Sequence, residues 1–309
     1  MMSIERLNLG ALAIVVALHA AARSRLPPSV SGEAWFAVLL VATILVARVA
    51  WRTRVEAWTH LVTATVVLVS VYESLGPIIA AIGPAPRDRW ILAAEATLTR
   101  GRWPPLTPAP LPSWIIDVFS VAYIVYFALP VVLLAALVRR GRILDARAAM
   151  RTLLAAYYIH YALYVVMPVV GPMRAAEVPS AVQLHLVAQG GGLSRHLRRG
   201  IGALERTPQD AFPSAHTSIA VLVALFARRL RLRGHALFSI AAAAIVCSTF
   251  VLGYHYVVDV LAAFPIAWLA WRANALEMVR LRRFGISARQ TSREDAPPVA
   301  ACRDEARQR

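Results

Sequence analysis

Two short stretches of the chain combine histidine with residues that suit phosphorus chemistry. The first reads PSAH at 213–216 and is followed by an apolar run, and the second reads HYVVD at 255–259. A spacing of four residues places His255 and Asp259 on one face of a helix, one turn apart. The carboxylate can then accept the proton of one imidazole nitrogen and leave the other nitrogen as a nucleophile or ligand.

Together the two stretches predict a site for phosphoryl transfer. One imidazole would attack phosphorus to give a phosphohistidine, and the other would protonate the leaving oxygen. Pro213 suits the first turn of a helix, whose free amides near Ser214 and Ala215 would face an anion, with the Ser214 hydroxyl as a further donor. Guanidinium groups would stabilise the developing charge. The loop before this helix supplies Arg174, Arg195, Arg198, Arg199 and Arg206.

The composition indicates that these residues are positioned by membrane helices. Hydrophobic residues make up 59% of the 309 residues, only 16% are charged, and the mean hydropathy is +0.58. Soluble domains have about 45–50% apolar and about 25% charged residues. The apolar residues form blocks separated by arginines, which predicts an all-α, polytopic membrane bundle of about eight spans. The predicted spans are 8–22, 33–50, 58–82, 114–138, 150–170, 213–229, 236–252 and 255–272.

Short arginine-rich loops predict the orientation of this bundle. The segments 48–54, 139–147, 228–233 and 280–283 all fall on one side of an eight-span arrangement, which makes that side cytoplasmic. His216 and His255 then lie at the outer ends of their helices, at the same depth. We therefore expect an integral membrane protein, in a bacterial inner membrane, with a site on the extracytoplasmic side.

The chain divides into three parts by this reading. Residues 1–113 hold three spans and an external loop, in which ILAAEATL predicts a short interfacial helix. Residues 114–272 form the catalytic core, and 273–309 form a cytoplasmic tail whose polar composition predicts disorder.

Charge and cysteine content narrow the function classes. The net charge is +16, and all of the basic residues that give it are arginines, since the chain has no lysine. No basic stripe alternates with aromatic residues, so nucleic-acid binding is not expected. Cys247 and Cys302 cannot form a disulfide framework, and neither HExxH nor a cysteine-rich spacing predicts a metal site.

The two motifs resemble those of the type 2 phosphatidic acid phosphatase superfamily of integral membrane lipid-phosphate phosphatases. The second family motif, P-S-x-H, matches Pro213 to His216, and the third ends in H-x-x-x-D, matched by His255 and Asp259. The resemblance implies that His255 is the phosphorylated nucleophile, Asp259 its orienting partner and His216 the general acid. It also implies a six-span core, a phosphorylated membrane lipid as substrate, and chemistry that needs no metal or other cofactor.

The chain departs from this family pattern at two cationic positions. The first family motif, K-x6-R-P, cannot occur without lysine, and Thr249 stands where an arginine usually precedes the third-motif histidine. The pattern Y-x-x-x-P-x-x-G-P-M-R, which ends at Arg174, looks closer to the inositol phosphorylceramide synthase branch. Members of that branch transfer a phosphorylated head group between lipids. Arg174 is then the leading phosphate ligand.

Other interpretations of the same residues remain open. His255 and Asp259 could be a buried pair at a helix interface, and Asp117, Tyr123 and Tyr126 could make interhelical hydrogen bonds. The acceptor could be water, which gives a hydrolase, or a lipid or polyol hydroxyl, which gives a transferase. Eight spans with intramembrane charges would also suit a transporter or channel. Transporters place such charges near the midplane, however, whereas these cluster at one face.

Overall fold

The chain folds into a bundle of α-helices. A computed structural model describes residues 3–26, 33–100, 111–188, 190–204 and 207–283. Within these residues there is no strand, and a single isolated bridge joins Val169 to Asp210. The helices are α1 (Ile4–Ala22), α2 (Glu33–Val46), α3 (Arg54–Ile82), α4 (Asp88–Thr99), α5 (Ser113–Arg139), α6 (Ile143–Val166), α7 (Ser180–Ala188), α8 (Gly192–Leu204), α9 (Ala215–Arg229), α10 (His235–Val251) and α11 (Val257–Arg283). The predicted all-α fold is confirmed.

Each predicted span coincides with a helix. In the described part of the chain, α1, α3, α5 and the 257–274 portion of α11 are long and apolar enough to cross a membrane, and α2 and α10 are shorter apolar helices. The remaining two predicted spans overlap α6 and α9. The short external helix predicted from ILAAEATL is α4, whereas α7 and α8 were not predicted.

The structure corrects the predicted start of α6 and the predicted place of Pro213. Helix α6 begins at Ile143, seven residues before the predicted start at 150, because the loop arginines continue into the helix. Helix α9 begins at Ala215, with Ser214 as its N-cap. Pro213 therefore precedes the helix and does not occupy its first turn. The tail from 287 and the loop arginine Arg206 lie outside the described residues.

Helix α9 lies at the centre of the part of the bundle that holds the site. Among the described residues, those up to Trp271 form one compact unit, and the end of α11 from Arg272 belongs to a second. In the first unit α9 packs against α5, α6 and α10. Its buried face presents small side chains such as Ala220 and Ala227. Small residues allow helices to approach closely, which stabilises packing where no water is expelled.

Hydrogen bonds join three helices just below the start of α9. His160 of α6 contacts the Pro213 carbonyl at 3.1 Å and the Ser218 hydroxyl at 2.8 Å. The Ser218 hydroxyl also lies 2.8 Å from the Ala263 carbonyl of α11. These buried contacts fix the start of α9 relative to α6 and α11.

The arginine-rich turns lie at the other end of the bundle. Arg142, between α5 and α6, donates to the carbonyl of Leu230, between α9 and α10, at 2.7 Å. The two turns that the charge pattern assigned to one side are therefore in direct contact.

Candidate active site

The backbone around His255 determines which of its ring nitrogens carries the proton. Its Nδ1 lies 2.7 Å from the carbonyl oxygen of Ala211. Because a carbonyl can only accept, Nδ1 must be the protonated nitrogen, and Nε2 keeps its lone pair. Nε2 lies 3.4 Å from Nδ1 of His216. The residues predicted as nucleophile and acid thus meet, although they come from different helices.

Asp259 follows His255 by four residues and is completely buried. Its Oδ2 accepts a hydrogen bond from the Tyr256 amide at 2.8 Å and lies 3.6 Å from His255 Nδ1. This second separation is longer than a hydrogen bond but allows a strong electrostatic interaction. The expectation that Asp259 accepts the Nδ1 proton is therefore corrected, because the Ala211 carbonyl is the closer acceptor.

His216 is held between aromatic rings near the start of α9. Its ring stacks on Tyr123, with centroids 4.5 Å apart, and lies 4.0 Å from the ring of Tyr126. Its Nε2 is buried and has no hydrogen-bond partner within the described residues. When the ring is doubly protonated, this nitrogen carries a proton that it can transfer.

Ser214 and Ala215 form the start of α9, and the polar groups of Ser214 have partners. The Ser214 hydroxyl accepts from the Thr217 amide at 3.3 Å, and the Ser214 amide donates to the Asp259 carbonyl at 3.1 Å. The Tyr164 hydroxyl donates to the carbonyl of Pro213, just before them, at 3.4 Å. Ala215 lines the cavity described below, whereas the Ser214 side chain is completely buried beside it.

The histidines and two arginines line one cavity of about 860 Å³. Helices α3, α5 and α6 contribute apolar and aromatic side chains to its wall, including Tyr72, Tyr157 and Tyr161, and α8 lines another part of it. Val69 of α3 and Phe127 of α5 line the cavity and are also exposed on the outer surface. The cavity therefore extends from the histidines to the flank of the bundle.

Arg198 of α8, one of the five arginines predicted to bind phosphate, lines this cavity. Its Nη1 donates to the Leu186 carbonyl, while Nε and Nη2 are buried without a hydrogen-bond partner in the described part of the chain. Burial lowers the pKa of Arg198, and such a desolvated cation is stabilised by an anion. Helical spacing could have distinguished Arg198 from the neighbouring arginines, because it shares the less exposed face of α8 with Ser194 and Ile201.

The other predicted arginines differ in position. Arg174 lines the cavity from the loop after α6, and its side chain is exposed. Arg195 is exposed and its Nε donates to the Gly191 carbonyl at 3.3 Å. Arg199 is exposed and does not line the cavity.

Asp117 connects α5 to the helix that holds Arg198. Its Oδ1 accepts from the amides of Gly191 and Ser194 at 3.1 and 2.9 Å. A carboxylate at this position satisfies free amides and interacts favourably with the helix dipole. Asp117 thus makes the interhelical contacts considered above, as does Tyr126 with the Tyr157 hydroxyl at 3.0 Å.

Comparison with known proteins assigns the family. A family model described as the PAP2 superfamily matches residues 89–273. The chain therefore belongs to the PAP2 superfamily. The matched region extends from α4 into α11 and includes every predicted site residue. Searches of curated proteins and of solved structures gave no match.

PAP2 membership supports a phosphatase or phosphotransferase type of phosphoester chemistry. Within the described residues, no group of three or more His, Cys, Asp or Glu side chains is arranged to hold a metal ion. The cavity lining includes imidazoles and guanidinium groups, which are suited to nucleophilic attack, proton transfer and anion binding.

Proposed function

We propose that this PAP2 protein is an integral membrane phosphoesterase that acts on a lipid-linked phosphate through a phosphohistidine at His255. The observation that supports this most directly is the hydrogen bond from His255 Nδ1 to the Ala211 carbonyl. This bond leaves the Nε2 lone pair for attack, next to a second imidazole in the same cavity.

In the first step His255 Nε2 attacks phosphorus. The P–N bond forms as the P–O bond to the lipid alcohol breaks, and the bonding electron pair moves to the leaving oxygen. His216, as an imidazolium, gives this oxygen its proton. Because the two rings are in contact at 3.4 Å, the phosphate must separate them when it binds. Asp259, close to Nδ1, stabilises the positive charge that develops on His255.

In the second step an acceptor hydroxyl attacks the phosphohistidine. Neutral His216 takes the proton of the acceptor as the P–N bond breaks, which restores neutral His255 and the His216 imidazolium. With water as acceptor the products are the lipid alcohol and inorganic phosphate.

The phosphate site in this proposal is built mainly by Arg198. Its two unpartnered nitrogens can donate to an anion, and guanidinium binds phosphate through paired hydrogen bonds. Arg174 adds a second cation at the cavity wall. Ser214 and Ala215 contribute through the positive end of α9, and the Ser214 amide already donates to the Asp259 carbonyl.

The shape of the cavity favours an amphiphilic substrate. Its apolar wall reaches the outer surface between α3 and α5, so that lipid tails can lie there while the phosphate contacts the histidines. The site lies at the opposite end of α9 from the arginine-rich turns. Under the positive-inside rule this supports an extracytoplasmic site, and we propose that the membrane is a bacterial inner membrane.

A second candidate is head-group transfer, as in the inositol phosphorylceramide synthase branch. The cavity contains hydroxyl and carboxylate groups that an acceptor polyol could bind, among them Tyr72, whose hydroxyl donates to Asp210 at 2.6 Å. An apolar lipid tail would not bind to such polar groups, whereas a polyol would.

The test uses purified protein and a panel of phosphatidic acid, prenyl phosphate and sphingoid phosphate, with and without inositol-type acceptors. Release of inorganic phosphate identifies a hydrolase, and a new phosphodiester identifies a transferase. The His255→Ala variant should do neither, while His235→Ala, exposed at the start of α10, should behave as wild type. Product formation by His255→Ala at the wild-type rate would refute the phosphohistidine mechanism.

A further inference from the structure

Helix α4 holds two buried carboxylates that the proposed mechanism does not use. Asp88 and Glu95 are 0% and 1% exposed, although α4 is a short helix outside the predicted spans. They are seven residues apart and so lie on one helical face, two turns from each other. Neither residue lines the cavity. Buried carboxylates are costly unless they are paired or hydrogen-bonded, so their partners indicate what they do.

Asp88 binds the loop that follows α6. Its two oxygens accept from the amides of Val170 and Gly171, each at 3.0 Å, and Oδ1 also accepts from the Tyr256 hydroxyl at 3.2 Å. Gly171 has a φ of +80°, and a Cβ there would lie 2.5 Å from the Tyr254 carbonyl. Asp88 therefore holds this loop directly against the residues that precede and follow His255.

The same loop is bonded to the acceptor of the His255 proton. Val169 donates to the Gln209 carbonyl at 3.2 Å, and its own carbonyl accepts from the Ala211 amide at 2.9 Å. The Ala211 carbonyl in turn accepts from His255 Nδ1. A short series of backbone hydrogen bonds thus connects the loop held by Asp88 to the group that fixes the His255 tautomer.

Glu95 binds the start of the helix on which Asp259 lies. It accepts from the amides of Val257 and Val258, the first two residues of α11, at 3.2 and 3.0 Å. Tyr256, at the N-cap position, has no side-chain oxygen close enough to bond these amides. Asp259, the third residue of α11, reaches back to the Tyr256 amide, as in one half of a capping box. Glu95 supplies, from a different helix, the acceptor for the first two amides of α11.

We propose that Asp88 and Glu95 are positioning residues that hold His255 and Asp259 in their reactive arrangement from outside the cavity. Their catalytic consequence rests on the proposed function. Their effect on the geometry of His255 does not depend on the proposed function and can be measured separately. Burial raises the pKa of both carboxyl groups and the amide hydrogen bonds lower it, so these bonds favour the charged forms that bind the amides best.

The test compares Glu95→Ala, Glu95→Gln and Asp88→Asn with Thr97→Ala, an exposed position on the same helix. Tyr256→Phe removes only the hydroxyl that donates to Asp88. The first measurement is 15N NMR of protein labelled at histidine, with the His255 signals assigned by their loss in His255→Gln. We expect the ring shifts, which report the tautomer and the ring pKa, to change in Glu95→Ala and Asp88→Asn and to stay at wild-type values in Thr97→Ala.

The second measurement is steady-state kinetics on the best substrate of the lipid panel. We expect kcat to fall about 10- to 100-fold in Glu95→Ala with KM within about twofold, since misplacement of a reacting group affects mainly the chemical step. Glu95→Gln keeps one acceptor oxygen and should recover part of this loss. Wild-type His255 shifts and kcat in Glu95→Ala, Asp88→Asn and Tyr256→Phe would overturn the proposal. If the His255 shifts change in Glu95→Ala and Asp88→Asn but the wild-type protein turns over no lipid phosphate, the positioning role is retained and the proposed function is overturned.

Discussion

His255 Nε2 and His216 Nδ1 lie 3.4 Å apart, although the two residues are separated by 39 positions and lie at the starts of different helices. The Ala211 carbonyl leaves a lone pair on the first nitrogen, and the aromatic rings of α5 hold the second imidazole in place. This pair of nitrogens is the feature from which the phosphohistidine mechanism follows.

Arg198→Ala should reduce kcat/KM by about 10²- to 10³-fold, because the variant removes a donor aimed at the developing negative charge. Arg198→Lys should recover little, since a lysine cannot form paired hydrogen bonds. Arg195→Ala changes an exposed arginine of the same helix and is the matched control. Equal kinetics for Arg198→Ala and Arg195→Ala would remove Arg198 from the phosphate site.

Asp259→Asn should lose activity, but by less than the roughly 10⁴-fold that follows when an aspartate alone sets the histidine tautomer in a catalytic triad. The reason is that the Ala211 carbonyl keeps the Nδ1 proton in place, so that the variant removes only the negative charge. The measurement is kcat with lipid phosphate in detergent micelles. A loss as complete as that of His255→Ala would mean that Asp259 sets the tautomer after all.

Asp117→Ala should lower both thermal stability and kcat/KM, because it frees the Gly191 and Ser194 amides at the start of α8. Loss of a helix cap costs about 1 kcal/mol, and the loosened helix would displace Arg198. Thermal unfolding and kinetics should be measured on the same preparation. Unchanged kcat/KM together with a lower Tm would separate the stability of α8 from the position of Arg198.

The stability of the protein should depend on pH through Glu95. Burial, which is opposed by hydrogen bonds from Val258 and Val257, raises the pKa of Glu95 above its ordinary value of 4.5. The folded state then binds this proton more tightly than the unfolded state, so the contribution of Glu95 to stability falls as pH rises above 4.5. Glu95→Gln has no such dependence. The Tm of wild type minus that of Glu95→Gln should therefore decrease from low to neutral pH, and a difference that increases would show the opposite sign of the shift.

The helices and the main chemical groups could be predicted because their signals are local. Apolar blocks indicated the eight spans, and the PSAH and HYVVD motifs indicated the residues that meet in the cavity. The position of Pro213 and the start of α6 differed from prediction because apolar composition does not define the residue at which a helix begins. Ser214 is such a capping residue, and the N-cap preference for serine was a usable signal.

The features of the site that the sequence did not predict depend on contacts between distant parts of the chain. The acceptor for His255 is a backbone carbonyl 44 residues away, and every residue has one, so no side-chain pattern points to Ala211. Glu95 binds amides 162 and 163 residues further along the chain. Arg198 differs from its arginine neighbours only in the face of α8 on which it lies. Which face of α8 is buried is determined by its packing against α5.

The most direct test of the mechanism is to trap the covalent intermediate. Purified protein is mixed with lipid phosphate carrying 32P, quenched in alkali within the first turnovers, digested and analysed by mass spectrometry. The mechanism predicts label on the peptide that contains His255, stable in alkali and lost in acid, and no label in His255→Gln. Label on a different residue, or turnover by His255→Gln at the wild-type rate, would contradict it.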